Sequence, residues 1–180
     1  MLGPAGVGPG EEYVRPIDVR VLGPLEVLID GVPVPLGGPK QRVVVAVLAA
    51  AAGRPVPVDV LLEAIYGEDA AWGGRRTLQT YVSNLRQVLG DVIVRHGHSY
   101  ALTCTASEID SVTFEESCRA ASVATDAAVA ASVLRAALAM WRGLPYADVE
   151  AHGVLDGECR RLGEVRLTAC LLYTSPSPRD

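Results

Sequence analysis

Residues Gly74–Gly90, GRRTLQTYVSNLRQVLG, decide the fold. Leu78, Val82, Leu85 and Leu89 recur at helical spacing and line one stripe of an α-helix. The opposite stripe carries Arg76, Thr80, Ser83 and Gln87, with Gln79, Asn84 and Arg86 on its shoulders. No acidic residue occurs between Arg75 and Leu89. A face of cations, amides and hydroxyls suits a groove walled by phosphates. It would equally suit any solvated surface helix, so the flanking sequence must decide. The segment after Gly90 reads strand, tight turn, strand: Val92–Arg95, then His96-Gly97, then Ser99–Cys104. A reading helix with a two-stranded wing behind it predicts a winged helix-turn-helix.

The residues upstream complete that prediction. Ile17–Leu36 reads as three short strands, with Val19 and Val21, then Leu25, Val27 and Ile29, in alternation. Asp30-Gly31 is a hairpin turn into Val32–Leu36, and Pro33 and Pro35 mark that strand as an edge. Gly38-Pro39 opens a helix that runs to Gly53, with Val44, Val47, Leu48 and Ala51 facing the core. A second helix covers Val58–Tyr66 with Val60, Leu61, Ala64 and Ile65 inward, although Pro57 stands where a capping hydroxyl is expected. Residues 68–74 link it to the Gly74–Gly90 helix. The predicted order is β-β-β-α-α-α-β-β, an α+β unit over residues 17–104.

After Thr105 the composition turns to alanine and acidic residues. Ile109–Ala124 and Asp126–Arg142 read as helices, the second with Ala130, Leu134, Ala137, Leu138 and Trp141 on one face. A third begins near Leu155. Ala-rich helical hairpins of this kind suggest a stacked, tetratricopeptide-like all-α unit over residues 105–169 that is incomplete at its C-terminal side. Cys170–Asp180, CLLYTSPSPRD, breaks the pattern and resembles a translated sequencing adapter, so it is set aside. Residues 1–16, rich in Gly and Pro, read as a disordered tail.

Charge divides along the same line. The 180-residue chain carries a net charge of −5 and 49% apolar residues. Ile17–Cys104 holds eight basic and eight acidic residues, a net of zero, whereas Thr105–Ala169 holds six basic and ten acidic, a net of −4. A neutral unit binds phosphates only if its cations share one face. Four cysteines without C-x-x-C spacing predict no disulfide framework and a reducing cytoplasm. No export signal is visible, and the longest apolar run, Val43–Ala52, is too short to span a bilayer.

Several strings together resemble one family: VLGPLEV, LGGPKQR, LQTYVSNLRQVLG, SYAL, ALAMWRG and the ECRRLGEVRL run. They are similar to the actinobacterial, Streptomyces-type antibiotic regulatory proteins, and the resemblance covers about Val19–Ala169. It implies a winged helix of the response-regulator type followed by a bacterial transcriptional activation domain. It also implies a cytoplasmic, nucleoid-associated activator of biosynthetic cluster genes. Such a protein binds promoter direct repeats as a side-by-side pair and contacts RNA polymerase. No G-x-x-x-x-G-K-[ST] loop is present, and Gly37-Gly38-Pro39-Lys40 only superficially echoes one. Two departures stand out. Asn84 and Gln87 occupy positions where family members often carry Arg, and Pro57 stands where Ser is common.

The candidate DNA-contacting residues are therefore Arg75, Arg76, Thr80, Ser83, Asn84, Arg86 and Gln87 on the reading helix. Arg76 would meet a guanine or a phosphate, and Asn84 and Gln87 an adenine. Lys40 and Arg42, at the start of the first helix, would meet a phosphate. Arg95 and His98 would meet the minor groove from the wing. The alternative for each is a solvated or structural side chain. His96, His98 and Cys104 lack a partner pair for a metal, and no cofactor is expected. Cys118 and Cys159 have no adjacent base, and His152 lies in a loop near Asp148 and Glu150, so enzymatic activity is not expected. The rival to a DNA-binding regulator is an interaction or signal-sensing module with weak or lost DNA affinity.

Overall fold

The computed structural model describes residues 16–67, 69 and 74–174. The predicted tail, Trp72, most of the linker and residues 175–180 lie outside them. The chain begins with an antiparallel sheet of β1 (Ile17–Arg20), β2 (Glu26–Ile29) and β3 (Val32–Pro33), in that order, with Val19 opposite Val27. Asp30 and Gly31 form the two-residue β2–β3 turn, and both have positive φ, 52° and 76°. That is the type I′ geometry whose twist matches a hairpin. β3 stops at Pro33 rather than Leu36, because Pro33 and Pro35 cannot donate to a ladder. β1 also ends early. The Val21 and Leu22 amides leave the sheet to bind the Asp110 carboxylate.

Helix α1 (Pro39–Ala50) starts with proline in its first turn, and the Gln41 side chain accepts the Gly38 amide at 2.7 Å. Its buried surface is wider than the expected stripe: every residue from Val43 to Ala49 is buried. The helices over Val58–Tyr66 and Gly74–Leu89 and the strand Ser99–Leu102 all pack on it, so it is the central rod of the first half. α2 (Val58–Tyr66) buries Leu61, Leu62, Ala64 and Ile65, and α3 (Gly74–Leu89) buries Leu78, Val82, Leu85 and Leu89 as the periodicity predicts. A Cβ at Gly74 would lie 2.8 Å from Leu62 Cδ2, so the start of α3 sits directly on α2.

One element escapes the sequence pattern. β4 (Val56–Pro57) pairs with β6 (Ser99–Leu102), which in turn pairs with β5 (Ile93–His96). The sheet order β4-β6-β5 places β6 in the middle. The observed order is therefore β-β-β-α-β-α-α-β-β. Two residues carry no alternation, and Pro57 argues against a strand except at an edge, which is where it lies. Pro57 both ends β4 and precedes α2, and the Val58 amide donates to the His98 carbonyl at 2.9 Å. The His98 carbonyl thus satisfies the first amide of a helix that has no side-chain cap.

The second half follows through a 3₁₀ turn, Ala106–Glu108, into α4 (Asp110–Ser122), α5 (Ala127–Leu138) and α6 (Asp156–Thr174). Asp126 caps α5 by accepting from the Ala128 and Val129 amides at 2.8 and 3.2 Å. α5 ends at Leu138, so Trp141 lies beyond the helix and not on its face. Trp141 instead sets its ring edge-on to buried Phe114 at 5.3 Å, with Arg166 stacked over it. α6 does not break at Cys170. It continues to Thr174, since Leu171, Leu172 and Tyr173 contain no helix breaker. The fold is a winged helix followed by a helical unit, and one contiguous apolar core runs from Ile17 to Ala169 through both.

Candidate nucleic-acid interface

The outward face of α3 carries Arg76, Gln79, Thr80, Ser83, Asn84 and Gln87, all exposed. Its inner stripe packs on α1 and α2, so the polar face points away from the core. Thr80 Oγ1 donates back to the Arg76 carbonyl at 3.2 Å, which leaves the hydroxyl oxygen free to accept. Arg76 makes no ion pair among the described residues. An uncompensated guanidinium beside five amide or hydroxyl side chains offers both donors and acceptors to a base edge.

The wing flanks this face. Arg95 is exposed on β5, and its Nε donates to the Gly97 carbonyl at 2.9 Å, so the turn holds it locally. His96 and His98 are exposed at the tip. Lys40, at the start of α1, stands 4.2 Å over the Tyr66 ring. Beside that ring, burial and the Tyr66 hydroxyl push the Tyr81 phenol above its ordinary value. Tyr100 is buried under the wing, in a packing role rather than a base-stacking one.

Three of the predicted cations have other work. Arg75 pairs with Asp59 at 2.9 Å, with both side chains largely exposed. Arg86 is half-buried, and its Nε donates to the Ile93 carbonyl at 2.8 Å, which fastens α3 to the wing strand. Arg42 turns away from α3. It donates to the Leu25 carbonyl at 2.7 Å and pairs with Asp148 of the helical half. The structure thus brings together the α3 face, with the wing behind it, and separates Arg42 from that group.

A second set of polar residues is Asp110, Arg142 and Asp148, of which the sequence draws notice only to Asp148, as a loop neighbour of His152. Their partners lie in the β1–β2 loop, 88 to 123 residues away in sequence, so no local pattern marks them. Burial pushes the thiols of Cys104, Cys118 and Cys159 up, which keeps them protonated and weakly nucleophilic. Among the described residues no three His, Cys, Asp or Glu side chains are grouped to hold a metal ion, and no helix is long and apolar enough to cross a membrane.

The C-terminal domain of transcriptional regulatory proteins matches residues 33–102, and the bacterial transcriptional activator domain matches residues 109–175. The transcriptional regulatory protein EmbR of Mycobacterium tuberculosis is 50% identical over 74 residues, which are 41% of this chain and 19% of that protein. The regulatory protein DnrI of Streptomyces peucetius is 31% identical over 166 residues, 84% of this chain and 61% of that one. AfsR of Streptomyces coelicolor is 33% identical over 162 residues, 87% of this chain and 16% of that one. The solved structure of Mycobacterium tuberculosis EmbR in complex with a low affinity phosphopeptide superposes with a TM-score of 0.80 at 33% identity, covering 89% of this chain and 45% of that one. The chain spans less than two thirds of the length of each of these relatives.

Proposed function

Since the chain belongs to the Streptomyces-type antibiotic regulatory protein family, whose regulator and activator domains it carries in tandem, we propose that it is a cytoplasmic, sequence-specific transcriptional activator. In this reading residues 17–104 bind promoter DNA and residues 105–169 help assemble the bound protein with a second copy and RNA polymerase. Two copies would sit side by side on a direct repeat. The observation that carries the proposal is the α3 face: Arg76, Thr80, Ser83, Asn84 and Gln87 are exposed together on a helix without an acidic side chain, with a wing behind it. Arg76 takes a guanine edge or a phosphate, and the two amides favour adenine. Arg95 and His98 approach the backbone or minor groove, and Lys40 a flanking phosphate.

A second reading has its own support. With Arg42, Arg75 and Arg86 engaged inside the chain, few cations remain for phosphates, as an interaction module with weak DNA affinity would have. Selection of the purified chain on a random duplex library, at low and moderate salt, separates the two. Enrichment of a direct repeat with half-sites about one helical turn apart supports the activator. The salt slope then counts phosphate contacts, at about 0.9 per contact. No enrichment at either salt refutes the activator reading and favours the interaction module.

A further inference from the structure

The loop between β1 and β2, Val21–Leu25, is held almost atom by atom by the helical half. The Val21 and Leu22 amides donate to the two oxygens of Asp110 at 2.8 and 3.2 Å. The Leu25 amide donates to Asp148 Oδ1 at 2.7 Å. In return, the Val21 carbonyl accepts from the Tyr146 amide at 2.9 Å, that of Leu22 from the Arg142 amide at 2.7 Å, and that of Gly23 from the Ala147 amide at 3.2 Å. Arg142 Nη2 donates to the Pro24 carbonyl at 3.0 Å, and Nη1 pairs with Glu26 at 3.1 Å. The apolar side chains of Val21, Leu22 and Leu25 are buried in the same place. Domains joined by a short linker move relative to one another by default, unless the contact between them is extensive. Here an apolar core and a network of main-chain and side-chain hydrogen bonds coincide on one loop.

We infer that Arg142, with Asp110 and Asp148, is a positioning residue for DNA-bound assembly: it fixes the helical half at one orientation relative to α3 and the wing, so that the protein itself dictates the separation of two neighbouring copies on DNA. The inference rests on the DNA-binding reading proposed above. Asp148 shows the functional direction of the arrangement. It draws Arg42, a cation otherwise available to a phosphate, into the junction.

The test uses the whole chain, with Arg142→Ala plus Asp148→Ala as one variant and Gly23→Ala as another. A Cβ at Gly23 would lie 2.8 Å from Arg142 Cβ, so the second variant wedges the junction open without removing any polar group. The first readout needs no DNA. In weakly aligned samples, amide dipolar couplings of residues 17–102 and 110–169 fit one alignment tensor in the parent protein and two in the variants. The second uses duplexes carrying two copies of the half-site enriched by the parent, with the spacing stepped one base pair at a time. The parent loses about tenfold in pair binding away from its preferred spacing, whereas the variants lose that preference and keep their affinity for a single half-site. A single tensor in both variants, an unchanged spacing preference, or a parallel loss of half-site affinity each overturns the inference. If the parent enriches no duplex, the DNA-binding reading fails on its own, and the alignment measurement alone decides whether the orientation is fixed.

Discussion

Replacing Asp110 by alanine removes both oxygens that accept the Val21 and Leu22 amides. The Asp110 side chain is 11% exposed, and Val21 and Leu22 are fully buried, so water has poor access to the orphaned N–H groups. A buried amide without a partner costs about 1–3 kcal/mol, which sets a gross loss of roughly 2–6 kcal/mol for the pair. Part of this is offset, because the variant no longer desolvates a carboxylate. That desolvation is substantial: burial raises the Asp110 carboxyl above its ordinary range even against its amide donors and Arg142. The expected net loss is about 2–3 kcal/mol, and with a urea slope near 2 kcal/mol/M the midpoint falls by about 1 M. Asp59→Ala is the matched control. It also removes a carboxylate from an arginine pair, but with side chains 79% and 64% exposed it should cost under about 1 kcal/mol. Urea unfolding of both variants at neutral pH, followed by circular dichroism, makes the comparison. Equal midpoints would refute the argument that the β1–β2 loop depends on Asp110.

Other outcomes are expected from the same structure. Arg76→Ala should weaken specific duplex binding by about 1–3 kcal/mol and leave the unfolding midpoint in place; unchanged affinity in a fluorescence titration would mean that another face of α3 meets the groove. Leu85→Asp puts a charge at a position 1% exposed in the α3 stripe, and the loss of cooperative unfolding by calorimetry is the expected result. Phe114→Ala empties a fully buried site and removes the edge-on Trp141 contact, for a loss of about 3–5 kcal/mol in the same urea assay. Asp110 also gives a pH signature. Its folded carboxyl binds the proton more tightly than the unfolded one, so its contribution is complete below the unfolded carboxylate value. That contribution is lost as pH rises through the raised folded value. The stability difference between the parent and Asp110→Asn should therefore shrink over that rise, and a difference that grows with pH would contradict the sign.

Much of the winged helix is legible because its signals are local. The α3 stripe, the Asp30-Gly31 turn and the His96-Gly97 wing tip each carry their own geometry in a few neighbouring residues. The illegible parts depend on distant partners. β4 exists because β6 offers Val56 a strand to pair with. β1 ends at Arg20 because a carboxylate from Asp110 competes for the next two amides. Arg42 and Arg86 look like groove cations because charge and helix position are visible in a sequence, whereas the Asp148 and Ile93 oxygens that engage them are not. Trp141 reads as part of a helical face because nothing in its own neighbourhood announces that α5 has already ended.

The bridge between Val19 and Ile109 has a practical reach. β1 is the outer strand of its sheet, and its free side is met in parallel by Ile109 and by the start of α4. An expression fragment cut after Cys104 would strip that cover and leave an open strand edge beside the newly exposed apolar side chains of Val21, Leu22 and Leu25. Such an edge recruits a strand from another molecule. Insolubility of the isolated winged helix would then report a missing lid on its sheet, and poor DNA binding by that fragment would say little about α3.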